Sequence, residues 1–310
     1  IKIFRKLFKE LNTYLSLPSL VRLYENGDFK LYFNFFKALT AFFVLRRSAT
    51  IETDQIDNIF RNLMFGQNKL DFCGLKTNLD KSNELPDLNI IKNYLINNLN
   101  NSKVNFNLES KKEWVSHMIN VPIYDRKILS KFLLFAAYNN TITEEKTGLV
   151  TRRGVTPDIS RSFLKFENFQ SKIYETVEHV APQSPNNPDS WKGIYSENKV
   201  NSIGNLILIP KLQNINLSNH NWSVKKPFLK AMSTSNIDER KKLFKEASDA
   251  GLNLSAQRIN YLVNYETSSE LLKGLSDTNE WDVNFVKNRS KRLLELAWDE
   301  LAKWLKPEKK

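Results

Sequence analysis

Glu178 and His179 stand side by side near the end of an apolar run, Ile173–Val180, and Pro182 follows shortly after. The pair puts a titratable imidazole next to a hard oxygen ligand, the two groups that proton transfer and divalent-cation binding call for. Neighbours on a regular strand face opposite ways, so both serve one site only where the strand ends or distorts. Pro182 makes such an end plausible. Taken alone, the pair reads equally as a strand end at the surface. Asn205 lies within a second apolar run, Ile203–Ile209, where a carboxamide is costly unless it finds hydrogen-bond partners. Asn214, nine residues further on, belongs to an amide-rich stretch reaching Asn219. Lys225-Lys226 come next. Lys211, Lys225 and Lys226 are candidate phosphate contacts, with a solvated side chain the alternative reading of Lys225. Among the three histidines, His117 falls in an expected helix with no carboxylate or thiol at metal-binding spacing and reads as structural. His220 falls in a polar loop and reads as solvated.

The elements that must position these residues differ along the chain. Residues 1–140 read as helical: Phe29–Leu45 is aromatic and aliphatic, with Lys30 and Lys37 seven apart on one expected solvent face. Thr53 or Asp54 would cap a helix through Ile56, Ile59, Phe60 and Leu63. Leu88–Leu99, Lys111–Ile119 and Asp125–Tyr138 read as shorter helices, and their aromatic residues as core. Asn139–Asp158 is polar, holds Gly148, Gly154 and Pro157, and reads as a linker or exposed loop. The expected organisation is a helical region, 1–140, a linker, 141–165, and a second domain, 166–310. In that domain residues 173–180 and 203–209 read as strands, and Asp282–Leu305 as a helix with one apolar stripe: Val286, Leu293, Ala297, Leu301 and Trp304 recur at seven, four, four and three.

The order acid–His, strand-borne Asn, helix-borne Asn, Lys resembles the HNH, or His-Me finger, nucleases. More specifically, Glu178-His179-Val180-Ala181-Pro182-Gln183, Trp191, Ile203–Leu208, Asn214, Leu217-Ser218-Asn219 and Lys225-Lys226 resemble the C-terminal nuclease domain of the GmrSD-type restriction enzymes, with SspE-like defence nickases close in architecture. Trp281, Arg289, Arg292-Leu293 and Trp298 resemble the family's closing helix, and Phe43–Arg47 its helical middle region. The resemblance implies a mainly α protein: a helical N-terminal region plus a ββα-metal nuclease core flanked by C-terminal helices. It implies His179 as the general base, Glu178 and Asn214 as ligands of Mg²⁺ or Mn²⁺, and Asn205 as the residue that holds the loop positioning His179. Two departures stand out. Asn214 occupies the position of the third-motif His, which disfavours zinc, and Glu178 stands where many HNH enzymes have Asp. A nucleotidase-like sensor domain precedes this region in the family and is expected to be missing from this chain, which reads as a fragment of something longer.

Composition agrees with a polyanionic partner. The formal charge is 46 − 34 = +12, and it is uneven: residues 1–50 carry nine basic and three acidic side chains, and residues 201–250 eight and four. A single cysteine, Cys73, excludes an internal disulfide framework and a multi-Cys zinc site and points to a reducing, cytoplasmic setting. The most apolar stretch, Ala38–Leu45, is eight residues long, against about 20 needed to span a bilayer. The expected activity is metal-dependent cleavage of DNA by an endonuclease or nickase, as the effector of a bacterial anti-phage or modification-dependent restriction system. The alternatives are a non-catalytic nucleic-acid-binding module and an RNase toxin with the same fold.

Overall fold

Apolar residues recur at helical spacing through most of the chain, and the described residues are mainly helical, 64% helix against 5% strand. The computed structural model describes residues 7–9, 11, 13–50, 55–66, 74–75, 85–100, 107–144, 146–152, 162–185, 187–211, 213, 217, 219–264 and 269–307. The chain divides into two units, Ile1–Met118 with Trp298–Lys310, and Ile119–Ala297. Cys73, Asn214 and the expected helix caps Thr53 and Asp54 lie outside the described residues.

The first unit holds α1 (Leu17–Glu25), α2 (Phe29–Ala49), α3 (Ile56–Phe65), α4 (Leu88–Asn97) and α5 (Lys111–Met118). Asp28 starts α2: its carboxylate accepts the Lys30 and Leu31 N–H groups at 2.9 Å, two of the donors a helix start leaves unsatisfied. From Phe35 onward α2 is buried on nearly every side, and Phe43 stacks on Phe60 of α3 with ring centroids 5.4 Å apart. Two basic residues of this segment are interior. Arg22 donates from Nε to the Leu75 carbonyl at 3.1 Å, and Arg46 from Nη1 to the Asn98 carbonyl at 2.8 Å. The charge count of residues 1–50 therefore overstates the basic surface they present.

The second unit contains α6 (Lys127–Tyr138), a hairpin of β1 (Thr141–Thr143) and β2 (Val150–Arg152), α7 (Phe166–Gln170), β3 (Thr176–His179), β4 (Leu206–Ile209), α8 (Trp222–Ser233), α9 (Ile237–Ala247), α10 (Ala256–Val263) and α11 (Val283–Leu305) up to Ala297. β3 and β4 pair antiparallel, with Thr176 opposite Ile209, Glu178 opposite Ile207 and His179 opposite Leu206. Both sheets are two-stranded, and the second is buttressed by a core that includes Trp191, Ile207, Phe228 and Trp281.

Two expectations change here. The hairpin β1–β2 lies inside the stretch read as a linker. Strands of three residues are too short to show alternation, and this hairpin is held by Arg292 of α11, whose guanidinium pairs with Glu144 and donates to the Val150 carbonyl at 2.9 Å. Asn205, read as strand-borne, instead closes a single 3₁₀ turn, Ile203–Asn205, just before β4. That turn packs onto α11 through Gly204, whose N–H donates to the Ser290 hydroxyl at 2.9 Å. A β-carbon at Gly204 would run into the Val286 carbonyl oxygen and the Ser290 side chain. Gly204→Ala is therefore expected to destabilise the protein by about 3 kcal/mol, the upper part of the overpacking range, because backbone must move. Urea unfolding measures this, and an unchanged midpoint would contradict the tight turn-to-helix contact.

Candidate active site

His179 is the last residue of β3, and the chain leaves the strand through Val180-Ala181-Pro182. A buried exit segment must satisfy all of its backbone polar groups, and here every one is accounted for. The Val180 N–H donates to the Asn205 carbonyl at 3.0 Å, and the Val180 carbonyl accepts from Lys225 Nζ at 2.8 Å. The Ala181 N–H donates to Asn205 Oδ1 at 2.8 Å, and the Ala181 carbonyl accepts from Asn205 Nδ2 at 2.9 Å. The Pro182 carbonyl accepts from the Tyr195 hydroxyl.

Asn205 uses its full hydrogen-bonding capacity. Besides the two bonds to Ala181, Nδ2 donates to the Val200 carbonyl at 2.8 Å and Oδ1 accepts from the Trp281 indole N–H at 3.0 Å. It is fully buried, so each bond replaces one to water that folding removed. Arg289 secures the turn that carries it, donating from Nη1 to the carbonyls of Gly204 and Leu206 at 2.6 and 2.9 Å and from Nη2 to the Tyr138 hydroxyl at 3.1 Å. Trp281, Arg289 and Asn205 thus form one cluster behind the strand end, while Trp298 belongs to the other unit.

The His179 ring has two further neighbours. Its Nε2 lies 2.8 Å from Asn201 Oδ1, and the Tyr124 ring centroid is 4.0 Å from its own. Burial pushes the imidazole down to about 4; the Asn201 hydrogen bond opposes that shift, and the positive charges of Lys225 and Lys127 add to it. The imidazole is neutral at physiological pH, the form that can accept a proton.

Lys225 is neither solvated nor on the surface: it is 1% exposed, with its ammonium turned onto the Val180 carbonyl and 5.7 Å from the centroid of the Trp191 ring. Burial lowers it to about 7, and the Glu178 carboxylate works against that shift. A phosphate contact by this ammonium would require it to leave its buried place. Lys211 is exposed and Lys226 half-exposed. His220 is half-buried and lowered by burial and by the charge of Lys225, so it belongs to the same electrostatic neighbourhood. His117 belongs to the first unit, where its Nε2 lies 2.9 Å from the Ala49 carbonyl.

Glu178 is half-buried on β3 next to His179. No cluster of three His, Cys, Asp or Glu side chains that would cage a metal exists among the described residues. Glu178 offers a hard carboxylate oxygen of the kind Mg²⁺ or Mn²⁺ takes, while Asn214 lies outside the described residues.

Residue type alone did not mark Asn201, Tyr124 or the inward turn of Lys225. Asn and Tyr are common in loops, and their meeting with His179 spans 22 and 55 residues of sequence.

His179 thus stands at a strand end whose exit segment is clamped by Asn205, with Asn201 and Tyr124 against its ring. Residues 123–296 match the family described as GmrSD restriction endonucleases, C-terminal domain. The match spans more than half of the chain, and the chain belongs to this family, whose domain is a nuclease of restriction-endonuclease type. The matched stretch nearly coincides with the unit Ile119–Ala297. No curated protein matches the chain. No helix among the described residues is long and apolar enough to cross a membrane.

Proposed function

We propose that the unit Ile119–Ala297 is a metal-dependent DNA endonuclease or nickase of the HNH, His-Me finger, type, with β3, β4 and the segment that follows them forming its ββα-metal core. The observation that carries this reading is the clamped strand end: Asn205, with four hydrogen bonds, fixes the backbone immediately after His179. That rigidity has little purpose in a binding module, but it is what a general base needs to meet a water in line with a phosphodiester.

In this reading His179 accepts the proton of the attacking water through its neutral imidazole. Asn205 pins the backbone that follows His179, and Lys225 holds the Val180 carbonyl within reach of the Glu178 charge. Glu178 and Asn214 would hold a divalent ion, Mg²⁺ or Mn²⁺, which when bound supplies charge relief to the scissile phosphate and the leaving 3′ oxygen. Exposed Lys211 and half-exposed Lys226 are the phosphate contacts; Lys225 is not. The reading extends to a role as effector of a bacterial anti-phage or modification-dependent restriction system acting in the cytoplasm. Choice of target is assigned to the nucleotidase-like domain that precedes this region in the family.

Substrate class is tested by offering duplex DNA and a structured RNA at equal concentration with Mg²⁺. Cleavage of DNA alone is expected, with binding that weakens by about 0.9 log units per log unit of salt for each phosphate neutralised. Preferential cleavage of RNA would move the site to a ribonuclease. Salt-dependent binding of DNA with neither substrate cut would favour a non-catalytic module.

A further inference from the structure

We propose that Asn201 is the positioning residue for the base: its carboxamide oxygen accepts Nε2–H of His179, holding the ring in one tautomer with Nδ1 as the free proton acceptor. The inference deepens the nuclease reading of this site and rests on it for its catalytic meaning.

The geometry carries it in three parts. First, Asn201 Oδ1 lies 2.8 Å from His179 Nε2 and also accepts from Gln183 Nε2 at 3.3 Å. An amide oxygen only accepts, so the imidazole nitrogen facing it bears the hydrogen, and in a neutral ring the other nitrogen then has the lone pair.

Second, Asn201 is held before it meets the histidine. Its backbone carbonyl accepts from the Tyr124 N–H at 3.3 Å. On one side of it the Val200 carbonyl accepts from Asn205 Nδ2 at 2.8 Å, and on the other the Ser202 hydroxyl donates to the Lys199 carbonyl at 2.6 Å. The Lys199 ammonium in turn donates to Asn120 Oδ1 at 2.6 Å. The carboxamide is therefore presented from a bonded turn.

Third, the Tyr124 ring packs against the imidazole at 4.0 Å between centroids. A ring flip that exchanged the two nitrogens would have to sweep past it. Tyr124 thus restrains the ring's plane through its side chain and Asn201 through its own backbone, so one residue serves both constraints. Asn205 fixes the backbone after His179, and Asn201 fixes the imidazole; these are separate jobs.

The test compares Asn201→Leu, similar in size but unable to accept, with Asn201→Asp, which still accepts. Long-range ¹H–¹⁵N correlation spectra of the histidine rings report the tautomer directly. With three histidines, single-His variants assign the signals. The expected result for the parent chain is a protonated Nε2 and a bare Nδ1 at His179, retained in Asn201→Asp and replaced by mixed tautomers in Asn201→Leu. In cleavage, Asn201→Leu should lower kcat about 10- to 100-fold with KM nearly unchanged, the scale expected for a misplaced catalytic group. Asn201→Asp should recover most of that loss, and melting of both variants should stay close to the parent.

A protonated Nδ1 in the parent, an unaltered His179 spectrum in Asn201→Leu, or equal kcat losses in the two variants would overturn the inference. The spectra do not depend on turnover. A correct tautomer in a parent chain that cleaves no DNA would instead defeat the nuclease reading, and cleavage that survives His179→Ala would defeat His179 as its base, each leaving the Asn201–His179 interaction standing.

Discussion

His179→Ala is expected to reduce the rate of phosphodiester cleavage by about 10²–10⁴-fold, the usual contribution of a positioned general base, while leaving the fold and DNA binding nearly intact. The chemical loss follows from removing the group that accepts the water's proton. The small structural cost follows from where the ring sits. It closes β3 rather than filling the core, and its polar partner, Asn201 Oδ1, still accepts from Gln183. Its aromatic contact with Tyr124 is forfeited, at about 1 kcal/mol. Initial cleavage rates, a gel shift and a melting curve on the same preparation separate the two effects. A variant that loses binding and folding in parallel with cleavage would mark His179 as a structural residue.

Asn205→Ala is expected to damage both stability and activity. The side chain meets the Ala181 N–H, the Ala181 and Val200 carbonyls and the Trp281 indole N–H. Alanine leaves all four without their partner at a fully buried position. With each orphaned buried group costing about 1–3 kcal/mol and water entering to relieve part of it, a loss of about 4 kcal/mol is expected. That is a large share of the usual 5–15 kcal/mol of a folded domain. Activity falls for a second reason: the segment after His179 is no longer pinned, and the imidazole samples positions away from the substrate. Asn205 and His179 should therefore separate cleanly, the first lowering melting temperature and rate together, the second the rate alone. An Asn205→Ala protein that melts with the parent would contradict the four-bond clamp.

Much of this was legible in residue type and spacing, and what was not has a common cause. α2 and α11 could be read because their burial writes a local pattern: near-continuous apolar residues in one, a stripe at four- and three-residue steps in the other. Asn205 stood out because a carboxamide in an apolar run demands partners, although its place in a 3₁₀ turn did not. That turn is dictated by Gly204 lying against α11, 86 residues from Ser290, and local propensity carries no trace of it. Lys225 misleads for a similar reason. A Lys-Lys pair looks like surface, yet one of the two is drawn inward by a carbonyl that points at it from the strand end. Arg22, Arg46 and Arg240 likewise count toward the net charge while bonding interior carbonyls. Asn201 and Tyr124 were invisible because ordinary loop residues become a site only when folding brings them to His179.

Conversion of supercoiled plasmid by the unmodified chain, followed over time with Mg²⁺ and again with excess EDTA, tests the central claim most directly. Open circles that accumulate with Mg²⁺, are absent with EDTA and return when the ion is restored are the predicted result. Plasmid that stays supercoiled with Mg²⁺ and with Mn²⁺, or is cut equally well in EDTA, would contradict a metal-dependent nuclease built on Glu178 and His179.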